Sequence, residues 1–514
     1  MTRLLIDNSF THVISTDERA LVLIEDVCTI TYEYFTRTRF SPRATRNQRN
    51  LYYFSRDEPF FPAGWTGKVT KALSRHDLPF EIEDIRKKPK KINLTILALP
   101  NDPWEHQKDA LLSIEENERG IVQVPTRGGK TLIMALTIAS FDVKTIIMVP
   151  NITLLEQEYE VFAKVFGADR VGRLGGGYLD YHKDVTVATV PTLHSRQDDF
   201  LTKLLMRQAG CLLLDECHHI SHGGYKLQNT YFEVVQRCRN AYYRIGLSAT
   251  PGRTSSLERQ LLVAVAGKLI YQIGVEELTE RKVLVPAAVD LVVLERNHTP
   301  TLKEILENHY HVDVPSRAKI EEVYKQYKIP VPLVPTFKQQ LDEKITNHTG
   351  FKRLVKFLAE YHASKGRSVI VLVSLVEKGV QMYTEGEFKI ENAIGLSGKD
   401  ANRTEVLDQF RHGDFKILVS TLIREGVDIP KGDILILASV DVRGDTPVIQ
   451  RSGRILTSHT GKTKARIIDF FVRDQGTLER HSKDRMRLYE KNGFDIQILG
   501  KEELERMKNE TETV

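Results

Sequence analysis

The chain has 514 residues, and at about 100–200 residues per domain this length predicts about three domains rather than one core. Apolar residues make up 41% and charged residues 27% of the chain, which is typical of a globular protein and excludes disorder, collagen-like repeats and a coiled coil as descriptions of the whole. The net charge of +5 is too small to indicate a nucleic-acid partner unless the basic residues cluster.

The sequence predicts neither disulfides nor a membrane span. Its 4 cysteines show no Cys-x-x-Cys spacing, so neither a disulfide framework nor a zinc ribbon is indicated. The longest strongly apolar run, residues 369–376, is much shorter than the roughly 20 residues that span a bilayer, and we see no secretory segment. We therefore expect a cytoplasmic protein.

Residues 1–95 predict a small basic α+β domain. Ala20–Ile24 is a strand-like apolar run, and Phe60–Gly67 is aromatic and rich in Gly and Pro. Between them lies an arginine-rich stretch that fits either a solvated strand face or a contact with DNA. Its arginines are Arg37, Arg39, Arg43, Arg46 and Arg49. The basic run Arg86–Lys91 contains a proline and mutually repelling charges, which favours a solvated linker.

Residues 96–286 alternate short apolar runs with longer helical patterns. This alternation is typical of a doubly wound parallel α/β sheet. The predicted strands are Gly120–Val124, Thr145–Val149, Val185–Thr189, Cys211–Leu214 and Tyr243–Leu247. We expect this part of the chain to form one α/β lobe.

The alternation returns over residues 346–496 and predicts a second α/β lobe. Its predicted strands are Ser368–Val373, Phe415–Ser420, Asp433–Leu437 and Ala465–Phe470. The intervening residues 287–345 contain spaced prolines and a charged stretch, and they predict a connector with some helix. Residues 497–514 predict an acidic tail or a frayed acidic helix.

A glycine-rich turn follows the first predicted strand of the first lobe and opens a helix. In Val124–Thr131, the glycines let backbone N–H groups approach phosphate oxygens, and the helix N-terminus favours anions. Lys130 is positioned to reach the terminal phosphates, and Thr131 to bind Mg²⁺. The strict phosphate-loop pattern fails at its first glycine, where Val124 stands, so a plain strand-to-helix turn is the alternative.

A pair of carboxylates ends another predicted strand. Asp215 and Glu216 follow Cys211–Leu214, at the edge of a parallel sheet where ligands bind. We expect Asp215 to hold Mg²⁺, mostly through water, and Glu216 to orient and deprotonate the attacking water. A zinc cluster is disfavoured because adjacent side chains rarely converge on one ion. Its ligands would be Cys217, His218, His219 and His222.

These motifs, in this order, resemble the superfamily 2 helicases and translocases over about residues 100–475. Further matching stretches are Pro103–Gln107, Met148–Gln157, Val187–Thr192, Ser248–Arg253, Ser420–Pro430 and Gln450–Arg454. The resemblance implies two RecA-like lobes, and it implies that ATP and Mg²⁺ are the cofactors.

The resemblance also implies a role for individual residues. Nucleotide contacts are implied for Gln107, Thr126, Gly128, Gly129, Lys130, Thr131, Glu425, Gly426, Asp428, Gln450 and Arg451. Catalytic roles are implied for Lys130, Asp215, Glu216 and Arg454, the last as an arginine finger. Nucleic-acid contacts are implied for Pro150, Asn151, Thr189, Ser374 and Thr421, to which the basic domain adds Arg43, Arg46 and Arg49. Coupling of hydrolysis to lobe movement is implied for Ser248, Ala249 and Thr250.

Two residues depart from the family pattern. Arg127 stands where the family usually has a small residue, and Thr457 stands where a second arginine is common. A finger arginine contributes about 10³–10⁵ in rate, so the loss of one of a pair would slow hydrolysis unless Arg454 or Arg451 suffices. We still predict an active ATPase, because the other catalytic residues are present.

Within the superfamily, the chain is similar to phage branch-migration helicases of the UvsW type, with kinship to the XPB and RecG groups. The spelling Asp215-Glu-Cys-His218 differs from that of the Asp-Glu-Ala-Asp RNA helicases, which favours DNA as the partner. The resemblance implies a monomeric, ATP-dependent translocase that remodels branched DNA, in the host cytoplasm if a phage encodes it. An RNA-remodelling helicase and a non-catalytic, ATP-switched DNA-binding scaffold are the alternatives.

Overall fold

The computed structural model describes most of the chain. The described ranges are residues 1–36, 45–99, 102–221, 230–252, 257–297, 337–373, 377–397, 403–421, 432–438, 462, 464–474 and 476–512, and between residues 32 and 47 no side chain is described. The chain divides into two compact units, Met1–Gly274 and Val275–Val514. Among the described residues, no helix is long and apolar enough to cross a membrane.

The first unit begins with a small α+β domain, as predicted. Its strands are β1 (Thr2–Ile6), β2 (Phe10–Ile14), β3 (Thr29–Thr36), β4 (Thr45–Tyr52), β5 (Phe60–Pro62) and β6 (Phe80–Asp84). Four of them form a mixed sheet in the order β5-β2-β1-β6, in which β1 runs antiparallel to β2 and parallel to β6. Helices α1 (Glu18–Val27) and α2 (Thr66–Arg75) bury Ile24, Val69 and Leu73 in its core.

The strand prediction for Ala20–Ile24 is wrong, because these residues belong to α1. Ala20 and Ile24 are four residues apart and are both buried, so they lie on the same side of a helix. Asp17 begins the helix, because its side chain accepts hydrogen bonds from the backbone N–H groups of Arg19 and Ala20. A short apolar run by itself does not separate a strand from a buried helix.

Two residues of the arginine-rich stretch, Arg46 and Arg49, lie on β4 of a two-stranded hairpin. Strands β3 and β4 pair antiparallel, with Tyr32 opposite Arg49. Arg49 is exposed, whereas the side chain of Arg46 on β4 is outside the described residues. Arg37, Arg39 and Arg43 lie outside the described residues altogether. The contact role predicted for these arginines stays a prediction.

An eight-stranded sheet forms the rest of the first unit. Its strands are β7 (Arg119–Gln123), β8 (Thr145–Val149), β9 (Val171–Gly175), β10 (Tyr178–Leu179), β11 (Val185–Thr189), β12 (Cys211–Leu214), β13 (Tyr243–Ser248) and β14 (Leu269–Gln272). Their order is β10-β9-β11-β8-β12-β13-β7-β14, and all pairs are parallel except β9 with β10. The helices are α3 (Glu105–Asn117), α4 (Lys130–Phe141), α5 (Ile152–Phe166), α6 (Val190–Ser195), α7 (Phe200–Gln208), α8 (Thr230–Arg237) and α9 (Leu257–Ala266).

The small domain is fixed to this lobe through buried polar contacts. Arg244 on β13 donates to the hydroxyl of Ser9 at 2.5 Å and to the carbonyl of Cys238 at 2.8 Å. Trp65 donates its indole N–H to the carbonyl of Gln260 on α9 at 3.0 Å. The basic N-terminal domain and the first α/β lobe are therefore parts of one compact unit.

The second unit contains a seven-stranded sheet whose pairs are all parallel. Its strands are β15 (Ala287–Glu295), β16 (Val369–Leu372), β17 (Ala393–Leu396), β18 (Ile417–Ser420), β19 (Ile434–Leu437), β20 (Ala465–Arg473) and β21 (Asp495–Leu499), in the order β17-β18-β16-β19-β20-β15-β21. The described helices are α10 (Val275–Glu280), α11 (Phe337–Leu341), α12 (Thr349–Ser364), α13 (Glu377–Thr384), α14 (Arg403–His412), α15 (Thr477–Lys491) and α16 (Lys501–Glu512), with a π-helical turn at Asp342–Thr346. The predicted fold class, two doubly wound parallel lobes after a small α+β domain, is confirmed.

Two stretches have structure that the sequence analysis did not assign to the second lobe. Strand β15 lies within the predicted connector and pairs with both β20 and β21. The predicted acidic tail holds part of β21 and all of α16, whose Leu504 and Met507 pack on the core of the second unit. The acidic composition of α16 hid these two apolar residues, which lie three positions apart and so share one face of the helix.

Candidate nucleotide-binding site

The glycine-rich turn lies between the end of β7 and the start of α4. Gly129 is the N-cap of α4 and has a φ of 77°, a left-handed conformation that glycine adopts without strain. The turn is closed by a hydrogen bond from the Gly128 N–H to the Pro125 carbonyl at 3.0 Å. The N-terminus of α4, which carries Lys130 and Thr131, favours anions, and the phosphates of a nucleotide suit such a position.

Arg127 also has a left-handed backbone, with a φ of 72°. A side chain in this conformation costs roughly 1–2 kcal/mol relative to the right-handed region, and glycine does not pay this cost. Arg127, which departs from the family pattern, is therefore the one non-glycine residue of the turn whose backbone is strained.

Residues at the start of α3 form hydrogen bonds with the backbone of the glycine-rich turn. The ring of His106 contacts the Gly128 carbonyl through Nε2 at 2.8 Å. Gln107 donates to the carbonyls of Gly128 at 3.5 Å and Gly129 at 3.4 Å, and its amide oxygen accepts from the Trp104 N–H at 2.9 Å. Gln107, for which a nucleotide contact is predicted, is 1% exposed and lies against the phosphate turn. The supporting role of His106 was not predicted from the sequence.

Asp215 and Glu216 follow β12 and face the glycine-rich turn. The Lys130 ammonium lies 3.0 Å from Glu216 Oε1, and both side chains are only 11% exposed. Strands β7, β13 and β12 are parallel neighbours, so the turn after β7 and the carboxylates after β12 lie at the same edge of the sheet. The structure thus brings together the two motifs that the sequence placed 85 residues apart.

The two carboxylates differ in their electrostatic environment. Burial alone would raise the pKa of Glu216, but the charge of Lys130 and the nearby His218 ring outweigh it and lower that pKa. Burial, and then the negative charge of Glu216, raise the pKa of Asp215 to about 6. Neighbouring acids whose pKa values are driven apart have different tasks at a functional site.

The histidine after the carboxylates connects them to the next motif. His218 Nδ1 lies 3.3 Å from Glu216 Oε2 and 3.0 Å from the hydroxyl of Ser248. That hydroxyl also accepts a hydrogen bond from the Thr250 N–H at 3.1 Å. The motif predicted to couple hydrolysis to movement is therefore linked to the carboxylate motif by one hydrogen bond. Its residues are Ser248, Ala249 and Thr250.

Asp215 fits the magnesium role predicted for it. Its Oδ1 is buried and has no hydrogen-bond partner among the described residues, and a buried anionic oxygen without a donor suits a divalent cation. Thr131, the second residue of α4, is the other predicted ligand. Over the described ranges, no group of three or more His, Cys, Asp and Glu side chains is arranged to hold a metal ion, and His222 of the disfavoured zinc cluster is outside those ranges.

Three of the predicted nucleic-acid contacts lie at the carboxyl ends of strands of the first sheet. Pro150 and Asn151 follow β8, and Asn151 caps α5 by accepting from the Leu154 N–H at 3.0 Å. Thr189 ends β11 and caps α6, and its hydroxyl also contacts the Thr192 hydroxyl at 2.8 Å. In the second unit, Thr421 follows β18 and its N–H donates to the Leu396 carbonyl at 3.2 Å.

The remaining predicted site residues are outside the described part of the chain. They are Arg43, Ser374, Glu425, Gly426, Asp428, Gln450, Arg451 and Arg454. Their roles stay predictions.

One acidic residue at this site was missed by the sequence analysis. Glu158 on α5 is 3% exposed, and its carboxyl group lies close enough to that of Asp215 for the two to shift each other's pKa. Burial, and then the charge of Asp215, hold the pKa of Glu158 well above its ordinary value. The available signal was its spacing, because Glu158 lies three residues after Leu155 and four before Phe162, both of them buried.

Comparisons with known proteins agree with the geometry. The family model "Type III restriction enzyme, res subunit" matches residues 101–253, and "Helicase conserved C-terminal domain" matches residues 350–457. The DNA 3'-5' translocase XPB2 of Sulfurisphaera tokodaii is 26% identical over 363 residues, which cover 68% of this chain and 78% of the relative. The ATP-dependent DNA helicase uvsW of Enterobacteria phage T4 is 22% identical over 381 residues, which cover 72% of this chain and 68% of the relative.

A solved structure supports the fold alone. The ATP-dependent Type ISP restriction-modification enzyme LlaBIII bound to DNA is 12% identical and superposes with a TM-score of 0.54, covering 83% of this chain and 34% of that chain.

Proposed function

Since the chain belongs to superfamily 2 of the helicases and translocases and is a nucleic-acid-dependent ATPase related to the UvsW and XPB proteins, we propose that it moves along DNA and remodels branched DNA. The proposed reactions are branch migration, fork regression and unwinding in replication, recombination or repair. Both relatives described above carry DNA in their names, as a translocase and as a helicase. We further propose a monomer that acts in the cytoplasm.

The contact between Lys130 and Glu216 carries the enzymatic part of the proposal. ATP hydrolysis needs a lysine beside the phosphates and a carboxylate that accepts a proton. Lys130 at the glycine-rich turn and Glu216, whose pKa is lowered, form such a pair. When ATP is bound, Lys130 leaves Glu216 and contacts the terminal phosphates. The carboxylate of Glu216 then orients the attacking water and accepts its proton. Mg²⁺, held by Thr131 and Asp215, would neutralise phosphate charge. Arg454 is the proposed finger residue.

The DNA part of the proposal rests on the loops beyond the strands. Asn151 and Thr189 each begin a helix after a parallel strand, and the N–H groups at such helix starts can contact phosphates of the backbone. Backbone contacts do not depend on base sequence, as stepping along DNA requires. The basic hairpin with Arg49 would add contacts at a junction.

The deciding experiment compares ATPase stimulation by single-stranded DNA, duplex, fork, four-way junction and RNA at one fixed salt concentration. We expect branched DNA to stimulate most, and we expect Glu216→Gln to lower turnover by about 10²–10⁴ on every substrate. Stronger stimulation by RNA than by any DNA would favour the RNA-remodelling alternative. Nucleotide-dependent DNA binding without turnover would favour a non-catalytic scaffold.

A further inference from the structure

A short hairpin of the first unit ends in a tight turn that carries an exposed tyrosine. Strands β9 and β10 pair antiparallel, with Tyr178 opposite Gly175. The two residues between them, Gly176 and Gly177, have left-handed backbones with φ values of 61° and 95°. A two-residue hairpin turn requires such values, and glycine adopts them without strain. The turn therefore places Tyr178 beside the tip of the hairpin.

The tip of this hairpin packs against the starts of two helices. A methyl group added at Gly175 would lie 2.9 Å from the Thr189 hydroxyl oxygen, and one added at Gly176 would lie 3.2 Å from Cγ2 of Ile152. Thr189 is the N-cap of α6, and Ile152 is the first residue of α5, directly after its N-cap Asn151. The hairpin is therefore a neighbour of the two loops for which we propose contacts with DNA phosphates.

The ring of Tyr178 is held in place by an arginine. The guanidinium carbon of Arg173 lies 3.4 Å from the centre of the Tyr178 ring and 4.0 Å from the centre of the Tyr159 ring on α5. Arg173 also forms an ion pair with Glu156 at 2.8 Å. Because the arginine is fixed by Tyr159 and Glu156, it fixes the Tyr178 ring in turn. A side chain that is already ordered loses little entropy when it binds a partner.

The surroundings of Tyr178 suit a flat, uncharged partner. Tyr178 is 40% exposed, and Ile152, which lies against the turn, is 54% exposed. The guanidinium in contact with the ring is paired with Glu156, so its charge is already compensated and it is a poor site for a phosphate. The bases of a nucleic-acid strand are flat and uncharged, and unpaired bases stack on aromatic side chains.

We propose that Tyr178 stacks on an unpaired base of DNA while the loops after β8 and β11 contact phosphates of the same strand. Stacking on an aromatic ring does not depend on the identity of the base, so it is compatible with stepping along DNA. It selects an unpaired strand, because the bases of a duplex are stacked on one another. The inference rests on the proposed function, because it requires that these loops bind DNA.

The test uses the full-length chain and measures its affinity for two fluorescent DNA strands at one fixed salt concentration. One is an ordinary single strand, and the other has the same number of phosphates but abasic sugars in place of nucleosides. Tyr178→Ala should weaken binding of the ordinary strand by about 5–150-fold and leave binding of the abasic strand unchanged. Tyr178→Trp keeps a stacking surface and should bind both strands like the wild type. Phe200→Ala, which removes a 77% exposed ring at the start of α7, is the matched control.

Thermal unfolding reports whether each variant is folded. If Tyr178→Ala does not fold, Tyr178→Leu, which keeps an apolar side chain without a ring, replaces it. The stacking proposal is overturned if the variant without a ring binds the ordinary strand as tightly as the wild type, or if it is weakened by the same factor on both strands. A wild type that binds forked DNA but neither single strand also overturns it. A wild type that binds no DNA at all would instead overturn the proposed function.

Discussion

Lys130 and Glu216 form an ion pair at 3.0 Å that joins the start of α4 to the end of β12. Both side chains are largely buried, and the lysine is the main group that lowers the pKa of Glu216 against the effect of burial. A buried ion pair of this kind costs folding free energy unless each charge has a partner. Removing Lys130 and removing Glu216 should therefore have different effects.

The first prediction separates nucleotide binding from hydrolysis. Glu216→Gln keeps the shape of the site but removes the base, so turnover should fall by about 10²–10⁴ while ATP still binds. Lys130→Ala removes a charged hydrogen-bond donor to phosphate, so the Kd for ATP should rise about 10–100-fold. Phosphate release and nucleotide binding measure the two effects, and Glu116→Gln, at an exposed position of α3, is the control. Hydrolysis that survives Glu216→Gln would contradict the assignment.

The sequence predicts the lobes well because their strands are buried on both faces. The runs Thr145–Val149, Val185–Thr189 and Cys211–Leu214 are uninterrupted and apolar or β-branched, and they form strands with the predicted bounds. The glycine-rich turn and the two carboxylates each follow such a strand. Because the carboxyl ends of parallel strands lie at one edge of the sheet, the sequence also predicts that the two motifs lie close together.

The features that were missed depend on tertiary contacts. Ala20–Ile24 is short enough to be either a strand or a helix, and packing in the small domain decides between them. Glu158 has no motif of its own, and its importance comes from its proximity to a residue 57 positions away. His106 contacts the Gly128 carbonyl of the phosphate turn through the fold of α3, which residue type alone does not reveal.

The second prediction concerns the fit between the small domain and α9. A methyl group added at Gly64 would lie 1.9 Å from the Val263 carbonyl oxygen and 2.7 Å from that of Ala264. Gly64→Ala should therefore destabilise the protein by about 1–3 kcal/mol, as overpacking does. Gly67→Ala, three residues later in α2, meets no atom within 4 Å and should stabilise the helix by up to about 1 kcal/mol. Thermal unfolding measures both, and equal midpoints for the two variants would contradict the packing.

The third prediction tests the buried network of the second unit. Arg485 on α15 donates to Asp469 Oδ2 at 2.9 Å and to the Phe470 carbonyl at 2.8 Å, and Tyr489 donates to the same Asp469 oxygen at 3.0 Å. Arg485→Met leaves a buried carboxylate without its cation and should cost about 3–5 kcal/mol of stability. Arg487→Met on the same helix removes a 72% exposed partner of Asp484 and should cost about 0–1 kcal/mol. Urea unfolding distinguishes the two, and similar midpoints would contradict the network.

The fourth prediction is a change in the pH dependence of stability. The pKa of Glu158 is raised in the folded state by burial and by Asp215, so the folded state binds more protons than the unfolded state above the ordinary value of 4.5. Stability is therefore lost as pH rises from 4.5 towards the raised pKa, by up to about 1.4 kcal/mol per pH unit. Glu158→Gln lacks this proton and should lose less stability over the same pH range. Thermal midpoints from pH 5 to pH 8 check this, with Glu160→Gln following the wild type. Parallel curves for Glu158→Gln and the wild type would contradict it.

The fifth prediction concerns the basic hairpin. If Arg43, Arg46 and Arg49 each neutralise a phosphate, replacing all three by Gln releases fewer counterions on binding. The slope of log affinity against log salt for a four-way junction should then become shallower by about 2–3, at about 0.9 per contact.

The matched control for the hairpin removes the same charge elsewhere in the small domain. Lys87, Lys90 and Lys91 are exposed in the segment predicted to be a solvated linker, so replacing these three by Gln should leave the slope unchanged. Equal changes for both triple variants would mean that general charge attraction, rather than contact by the hairpin, governs binding. An unchanged slope for the arginine variant would mean that the hairpin is a solvated strand face, and that junction binding depends on the loops beyond β8 and β11.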